Sequence, residues 1–242
     1  MVDFRTISYF APQLSGNKLR VVAEGRMEGV VRDLHFYNIS AISQAGGFSG
    51  IVNGSLTVLP DIDNTRINAT VRNFHLTTDG LGRFVSEWMK RGRLDLSRFA
   101  KGTVFNVDAS AKGLLNSMET KASLSSEIGQ ADVEARLSDL IISDKPIGID
   151  GTVHTEDLDL GQIIGTDIIH QTTLRTGLKA KLTDGFPDVV IDSLIVDRMN
   201  LNGYDYSGIA AVGKLSERAF DGRIICNDPS LNFMFQGAFA LS

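Results

Sequence analysis

Apolar and polar residues alternate along most of this chain, and a period of two is the signature of strands that present one apolar and one polar face. From Thr172 the even positions read Thr172, Leu174, Thr176, Leu178, Ala180 and Leu182, whereas the odd ones read Thr173, Arg175, Gly177, Lys179, Lys181 and Thr183. Met118, Ala122, Leu124 and Ile128 oppose Glu119, Lys121, Ser123, Ser125 and Glu127 in the same way. Further apolar sets are Phe105, Val107, Ala109 and Ala111; Val133, Ala135 and Leu137; Ile147, Ile149 and Val153; and Phe233, Phe235, Phe239 and Leu241.

Turn-forming pairs punctuate these runs: Ala45-Gly46-Gly47, Asn53-Gly54, Thr183-Asp184-Gly185, Asn202-Gly203 and Asp221-Gly222 read as hairpin or bend positions. Glycine is in excess, 24 of 242 residues against an ordinary share of ~7%, while proline is scarce at 5. Gly25, Gly29, Gly151 and Gly237 fall inside strand-like runs, where glycine marks bulges, bends or close backbone approach, so the excess points to a strongly curved sheet. A loose recurrence, Asp/Asn-aliphatic-x-aliphatic, appears at Asp33-Leu34-His35-Phe36, Asn73-Phe74-His75-Leu76, Asp139-Leu140-Ile141-Ile142 and Asn200-Leu201-Asn202, and reads as a polar break between strand pairs in an elongated, additive architecture.

Helix signals are few. One helix is expected near 79–91, opening at Thr77-Thr78-Asp79 with a side-chain cap and carrying Leu81, Phe84, Val85, Trp88 and Met89 on one stripe, either packed on the core or capping one end of the sheet. A second, of one or two turns, is expected near 157–164, with Glu156, Asp157 and Asp159 as its cap and first turn. Two short helices do not cover a sheet built from most of the chain. Its apolar face must close on a second sheet, curl into a barrel, or stay available to a ligand.

The charge balance, 24 basic against 29 acidic residues, favours neither nucleic acid nor an anionic surface. One cysteine, Cys226, is too few for a disulfide or a thiolate zinc site and reads as a small buried hydrophobe. His35, His75, His154 and His170 are isolated, and the chain lacks a nucleophile elbow, a P-loop and a dinucleotide fingerprint. Pro60-Asp61-Ile62-Asp63-Asn64-Thr65 alternates carboxylates as a calcium loop does, but without the glycine and closing glutamate of an EF-hand; a turn is the preferred reading. A carbohydrate-processing protein would need carboxylates paired at about 5 to 9.5 Å, and the sequence offers no such pair. These features predict no catalytic residue, no cofactor, no metal and no nucleic-acid partner.

Several stretches resemble a known family. Asp3-Phe4-Arg5-Thr6-Ile7-Ser8-Tyr9-Phe10-Ala11-Pro12, then Gly25-Arg26-Met27-Glu28-Gly29-Val30-Val31-Arg32-Asp33-Leu34, then Leu59-Pro60-Asp61-Ile62-Asp63-Asn64-Thr65, are similar to the large TamB proteins of the Bacteroidetes, translocation and assembly module subunits of the AsmA-like group. Gly151-Thr152-Val153-His154-Thr155-Glu156-Asp157-Leu158-Asp159-Leu160-Gly161 and Asn227-Asp228-Pro229-Ser230-Leu231-Asn232-Phe233-Met234-Phe235-Gln236-Gly237 are similar to phrases of AsmA-like chains. The resemblance implies an internal periplasmic fragment of a longer protein anchored in the inner membrane, with a long sheet rolled into an open, taco-like groove. It also implies a role in outer-membrane biogenesis: conveying phospholipid acyl chains, helping a TamA-like outer-membrane barrel assemble proteins, or both, with membrane contact through the flanking regions.

The expectation is therefore mainly β: one elongated groove over 1–242, a long, curved, twisted, antiparallel-rich sheet forming an open groove or half-barrel, with a soft subdivision near 92–102. Its expected lining is Phe105, Val107, Ala109, Leu124, Ile128, Val133, Leu137, Ile149, Val153, Leu174, Leu178, Leu182, Phe233, Phe235 and Phe239. The alternative is a closed sandwich or barrel serving as a scaffold or interaction module, with the same apolar faces packed on each other.

Overall fold

The computed structural model describes residues 2–3, 20–43, 47–80, 103–140, 145–164, 166–182, 187–216 and 219–240. In chain order these form β1 (Val2–Asp3), β2 (Arg20–Val30), β3 (Asp33–Ser43), β4 (Phe48–Thr57), β5 (Arg66–Thr77), β6 (Val104–Leu114), β7 (Ser117–Ser126), β8 (Gly129–Ser138) and β9 (Ile147–Asp159). There follow a short helix α1 (Leu160–Ile164), then β10 (Ile169–Leu182), β11 (Asp188–Leu201), β12 (Tyr204–Tyr206), β13 (Ile209–Ser216), β14 (Ala219–Asp228) and β15 (Leu231–Ala240). All strands belong to one antiparallel sheet in sequence order, with β12 pairing β11 beside the main path. Short connections and period-two patterning both favour such a meander, because each strand finds its partner next to it in the chain.

The sheet is open. Its first and last strands do not meet, and among the described residues extensive packing is confined to ladder neighbours and to α1 against β10. The expected long open sheet is therefore observed, and the closed sandwich or barrel is not formed, since either would need strands that face or meet each other across the apolar interior.

The first expected helix begins where its cap predicts, and the second begins later, at Leu160 rather than near 157. Residues 78–80 are helical, and the Gly80 N–H donates to Thr77 Oγ1 at 3.0 Å. The rest of the span expected to be helical, with Trp88, and the soft subdivision near 92–102 lie outside the described residues. At the second helix the strand runs further than expected: Glu156 and Asp157 belong to β9, and Asp159 alone caps, accepting from the Gln162 N–H at 3.2 Å and the Gln162 side chain at 2.9 Å.

The long strands are not regular throughout. Asn38, Asn73 and Asp157 take left-handed backbone conformations with φ of 48°, 49° and 48°, and the ladders shift register beside each. Asn and Asp tolerate that conformation better than other residues with a Cβ. The N–H that each bulge turns out of the ladder finds an oxygen on the next strand: Asn38 N–H donates to Asn53 Oδ1 at 2.8 Å, Asn73 N–H to Asp108 Oδ1 at 2.9 Å, and Asp157 N–H to Thr173 Oγ1 at 3.1 Å. β11 also carries register shifts, around Asp192 and Asp197. Bulges bend a strand and increase its twist, and repeated on alternate strands they curve the whole sheet.

Two expected turns prove to be strand interior. Asn53-Gly54 lies within β4, where Asn53 holds the β3 bulge and a Cβ on Gly54 would meet the Asn68 carbonyl oxygen at 2.3 Å. Asp221-Gly222 lies within β14, where Gly222 faces Gly213 across the ladder. Asn202-Gly203 is a turn as expected, with φ of 51° and 82°. Thr183-Asp184-Gly185 lies outside the described residues.

Replacing Asn73 by valine should destabilise the protein by about 1–2 kcal/mol, because a β-branched residue is strained in the left-handed region. Asn73→Gly should cost less than the valine. Urea unfolding of the two variants beside the wild type checks the order.

Candidate functional site

Register assigns the apolar side chains of successive strands to continuous rows on one face. One row runs from Ile39 through Val52, Val71, Ala109, Ala122, Val133 and Val153 to Thr176, Leu194, Ala211, Ile224 and Phe235. A second runs from Leu34 through Leu56, Ile67, Gly113, Met118, Leu137 and Ile149 to Ala180, Val189, Leu215, Phe220 and Phe239. Between them lies a row of mostly small residues, with Gly54, Ala69, Ala111, Thr120, Ala135 and Gly151 on consecutive strands and Gly213, Gly222 and Gly237 on the last three. The rows cross the strands, so the apolar track they make runs along the direction in which strands are added.

Most of this face is half-buried rather than closed. Val107, Leu124, Val133, Val153, Leu174 and Leu178 keep partial solvent contact, whereas their neighbours on the opposite face, such as Asp108, Ser123, Asp132, Thr152, Arg175 and Lys179, are exposed. Among the described residues no second layer covers this face, and partial shielding of that kind is what curvature alone produces. Met27 at 59% exposed and Phe233 at 41% show that the face is most open towards the two ends of the sheet.

All fifteen expected lining residues lie on the apolar face. Two of them are not free to line a track: Phe105 and Ile128, each 8% exposed, form a closed cluster with Leu158, against which Val107, Ala131, Leu160 and Ile163 pack. Here α1 folds over one margin of the face, and the cluster is a local core. Burying each large side chain there is worth about 1.5–3 kcal/mol. The lining also includes residues outside the expected set, among them Phe36, Val71, Phe74, Leu194, Ile209 and Ile224. Several sit beyond a bulge, where the alternation changes parity: β5 points Ile67, Ala69 and Val71 inward, then Phe74 and Leu76. The Asn/Asp recurrence was the available signal, since Asn73 is one bulge residue and Asp139 also has a positive φ, of 59°.

The outer face is largely polar and charge-paired. Lys121 meets Glu134 at 2.7 Å, Arg136 meets Glu119 at 3.1 Å, and Arg175 meets Asp197 at 3.0 Å. Lys179 meets Asp192 at 3.1 Å, and that carboxylate holds the ammonium above the usual lysine range. Arg198 bridges Asp157 and Asp205 and is likewise raised, chiefly by Asp157. The face is not uniformly polar, because Val190, Ile195, Val212 and Met234 are exposed on it.

Among the described residues, no three His, Cys, Asp or Glu side chains converge in a way that could hold a metal ion. Asp61 shapes the expected turn, accepting from the Asn64 side chain at 2.8 Å while its carbonyl oxygen accepts from the Thr65 hydroxyl at 2.6 Å. His75 faces Asn106 at 2.5 Å and His35 faces Asp33 at 3.0 Å, both on the outer face. Cys226 is buried as expected.

One margin of the sheet is tied by a buried carboxylate. Asp228 accepts from the Ser230 N–H at 2.8 Å, the Ser207 N–H at 2.9 Å, the Ser207 hydroxyl at 3.1 Å and the Tyr204 hydroxyl at 3.2 Å. These donors, led by the Ser230 amide, hold its pKa below the ordinary carboxylate range. A depressed folded-state pKa stabilises the fold above the unfolded value of about 3.9, and the contribution disappears as pH falls through the folded value. The denaturation midpoint of the wild type should accordingly fall more between pH 5 and pH 2, roughly the window in which such a carboxylate titrates, than that of Asp228→Asn. Parallel urea titrations at several pH values check this. Compared with protein-family models, with curated proteins and with solved structures, the chain finds no match in any of the three.

Proposed function

We propose that this chain is a non-enzymatic, periplasmic groove segment of a TamB/AsmA-like protein in outer-membrane biogenesis, anchored in the inner membrane through other parts of that protein. It carries phospholipid acyl chains along its apolar face, shelters apolar segments of outer-membrane proteins during their assembly, or does both with a TamA-like barrel as partner. The observation that carries this reading is the set of apolar rows running across an open sheet with no second layer over them among the described residues.

The physical logic is simple. An acyl chain gains about 0.8 kcal/mol for each methylene removed from water, so it requires a continuous apolar surface. Valine, leucine, isoleucine, alanine and phenylalanine provide that surface without directional hydrogen bonds, so no position along the track holds the chain more tightly than the next. The headgroup stays at the open side of the groove in water. The polar outer face suits an element that crosses an aqueous compartment.

Photo-crosslinking side chains placed at Leu178 and Phe235 should capture phospholipid, identified by mass spectrometry, and the same probe at Lys179 and Gln236 on the outer face should not. Equal labelling of the two faces, or none on either, would sink the conduit reading. Leu178→Asp, which sets a carboxylate on the track, should lower lipid capture at Phe235 at least about tenfold, whereas Lys179→Gln should leave it unchanged. Circular dichroism confirms that both variants remain folded.

A further inference from the structure

We propose that α1 is a kerb on the apolar track: it closes one side of the face at β6–β9 and confines acyl chains to the rows further from it, a placement that rests on the acyl-carrying reading of that face and adds where on it the chains run. β6, β7, β8 and β9 lie inside the sheet, each paired on both sides.

The rows differ in how much surface they leave open. The row nearest α1 passes through Val107, Leu124, Ala131 and Thr155 on β6 to β9 and continues to Val196 on β11 and Cys226 on β14. Val107 and Ala131 pack against the Phe105–Ile128–Leu158 cluster, as do Leu160 and Ile163 of α1. Thr155 is 3% exposed, and Val196 and Cys226 are 1% exposed. One row away on the same four strands, Ala109, Ala122, Val133 and Val153 are all half-buried, and none is closed off. Inward positions recur every second residue, about 6.6–6.8 Å along a strand, so the kerb shifts the usable track by one such step. An acyl chain on the near row would have to drive Leu160 and Ile163 off the cluster and return them to water. On the next row it covers apolar surface without that loss.

α1 is held by bonds for which such an occupant does not compete. Five residues are too few for a helix that is stable by itself. Besides the cap made by its carboxylate, Asp159 donates its N–H to the Ile128 carbonyl oxygen at 2.7 Å, which ties the start of α1 to the β7–β8 turn. Beyond its end, the Thr166 N–H donates to the Gly161 carbonyl oxygen at 3.0 Å, and the Asn202 N–H to that of Ile168 at 2.9 Å. Gly161 is buried, and a Cβ there would run into the Ile169 carbonyl oxygen, so the helix sits hard against β10. Leu160 and Ile163, three positions apart, share one side of α1, while Gln162 is exposed. Backbone and carboxylate bonds seat the helix, and its two apolar side chains form the kerb.

Photo-crosslinking side chains at Leu124 on the near row and at Val133 one row away read the path, with phosphatidylethanolamine vesicles as the lipid source. The wild type should capture lipid at Val133 at least about fivefold more than at Leu124. L160A/I163A trims the kerb but keeps the Asp159 cap and good helix formers, and should bring capture at Leu124 to within about twofold of that at Val133. Ile163→Ala alone, the milder change, should move capture in the same direction, with circular dichroism unchanged in both variants. Equal capture at Leu124 and Val133 in the wild type, or capture at Leu124 unmoved by either variant while Val133 still labels, would overturn the kerb and leave the conduit standing. Absence of lipid at Val133, Leu178 and Phe235 alike would overturn the conduit and the kerb with it.

Discussion

A long strand that keeps one face towards a curved interior depends on resetting its side-chain period. Alternation by two holds only while the ladder stays in register, and a strand of the length of β9 or β11 twists and bends as the sheet curves. The bulges at Asn38, Asn73 and Asp157 absorb one extra residue and return the next apolar side chain, Ile39, Phe74 and Leu158, to the inner face. Each reset leaves a backbone N–H without a ladder partner, and Asn53, Asp108 and Thr173 receive it. The outer-face oxygens thus serve the inner face: without them, curvature would cost a hydrogen bond at every bend.

Stability in this architecture is spread along the ladder rather than concentrated in one deep core. Few described side chains are fully buried, Val196, Thr65, Thr172 and Cys226 among them, and the one compact cluster lies where α1 folds over Phe105, Ile128 and Leu158. Elsewhere the gains come from backbone pairing and from cross-strand contacts of roughly 0.2–1 kcal/mol each. The price is apolar surface left partly in water along the inner face, which a closed sandwich would bury. The rows are apolar apart from threonines such as Thr120 and Thr176, whose hydroxyls are already bonded to the Ala135 and Ser193 carbonyl oxygens at 2.8 and 2.9 Å.

Charge divides the molecule in a complementary way. Cross-strand pairs such as Lys121 with Glu134 and Lys179 with Asp192 neutralise the outer face locally. At the β14–β15 end, Asp228 gathers donors from β12, from Ser207 and from the turn at Ser230, and this fixes the hairpin that presents the last strand.

The alternation from Phe105 through Leu182 was legible because β6, β7, β8 and most of β10 run with regular register, and the turn chemistry at Asp61 and Asn202-Gly203 was legible from residue type. Leu194 and Phe74 were not, because parity changes at bulges whose position depends on the neighbouring strand. Asn53-Gly54 and Asp221-Gly222 read as turns in isolation, yet they are strand interior, since local preference yields when close backbone approach to Ala69 or Gly213 requires glycine. The sequence by itself determined a β chain with one apolar face, because period-two patterning leaves no other placement for those side chains. Only the tertiary structure decided that the sheet stays open and that Phe105 and Ile128 are closed off under α1. Closure and coverage are relations between residues distant in the chain, set by the summed bend of every strand.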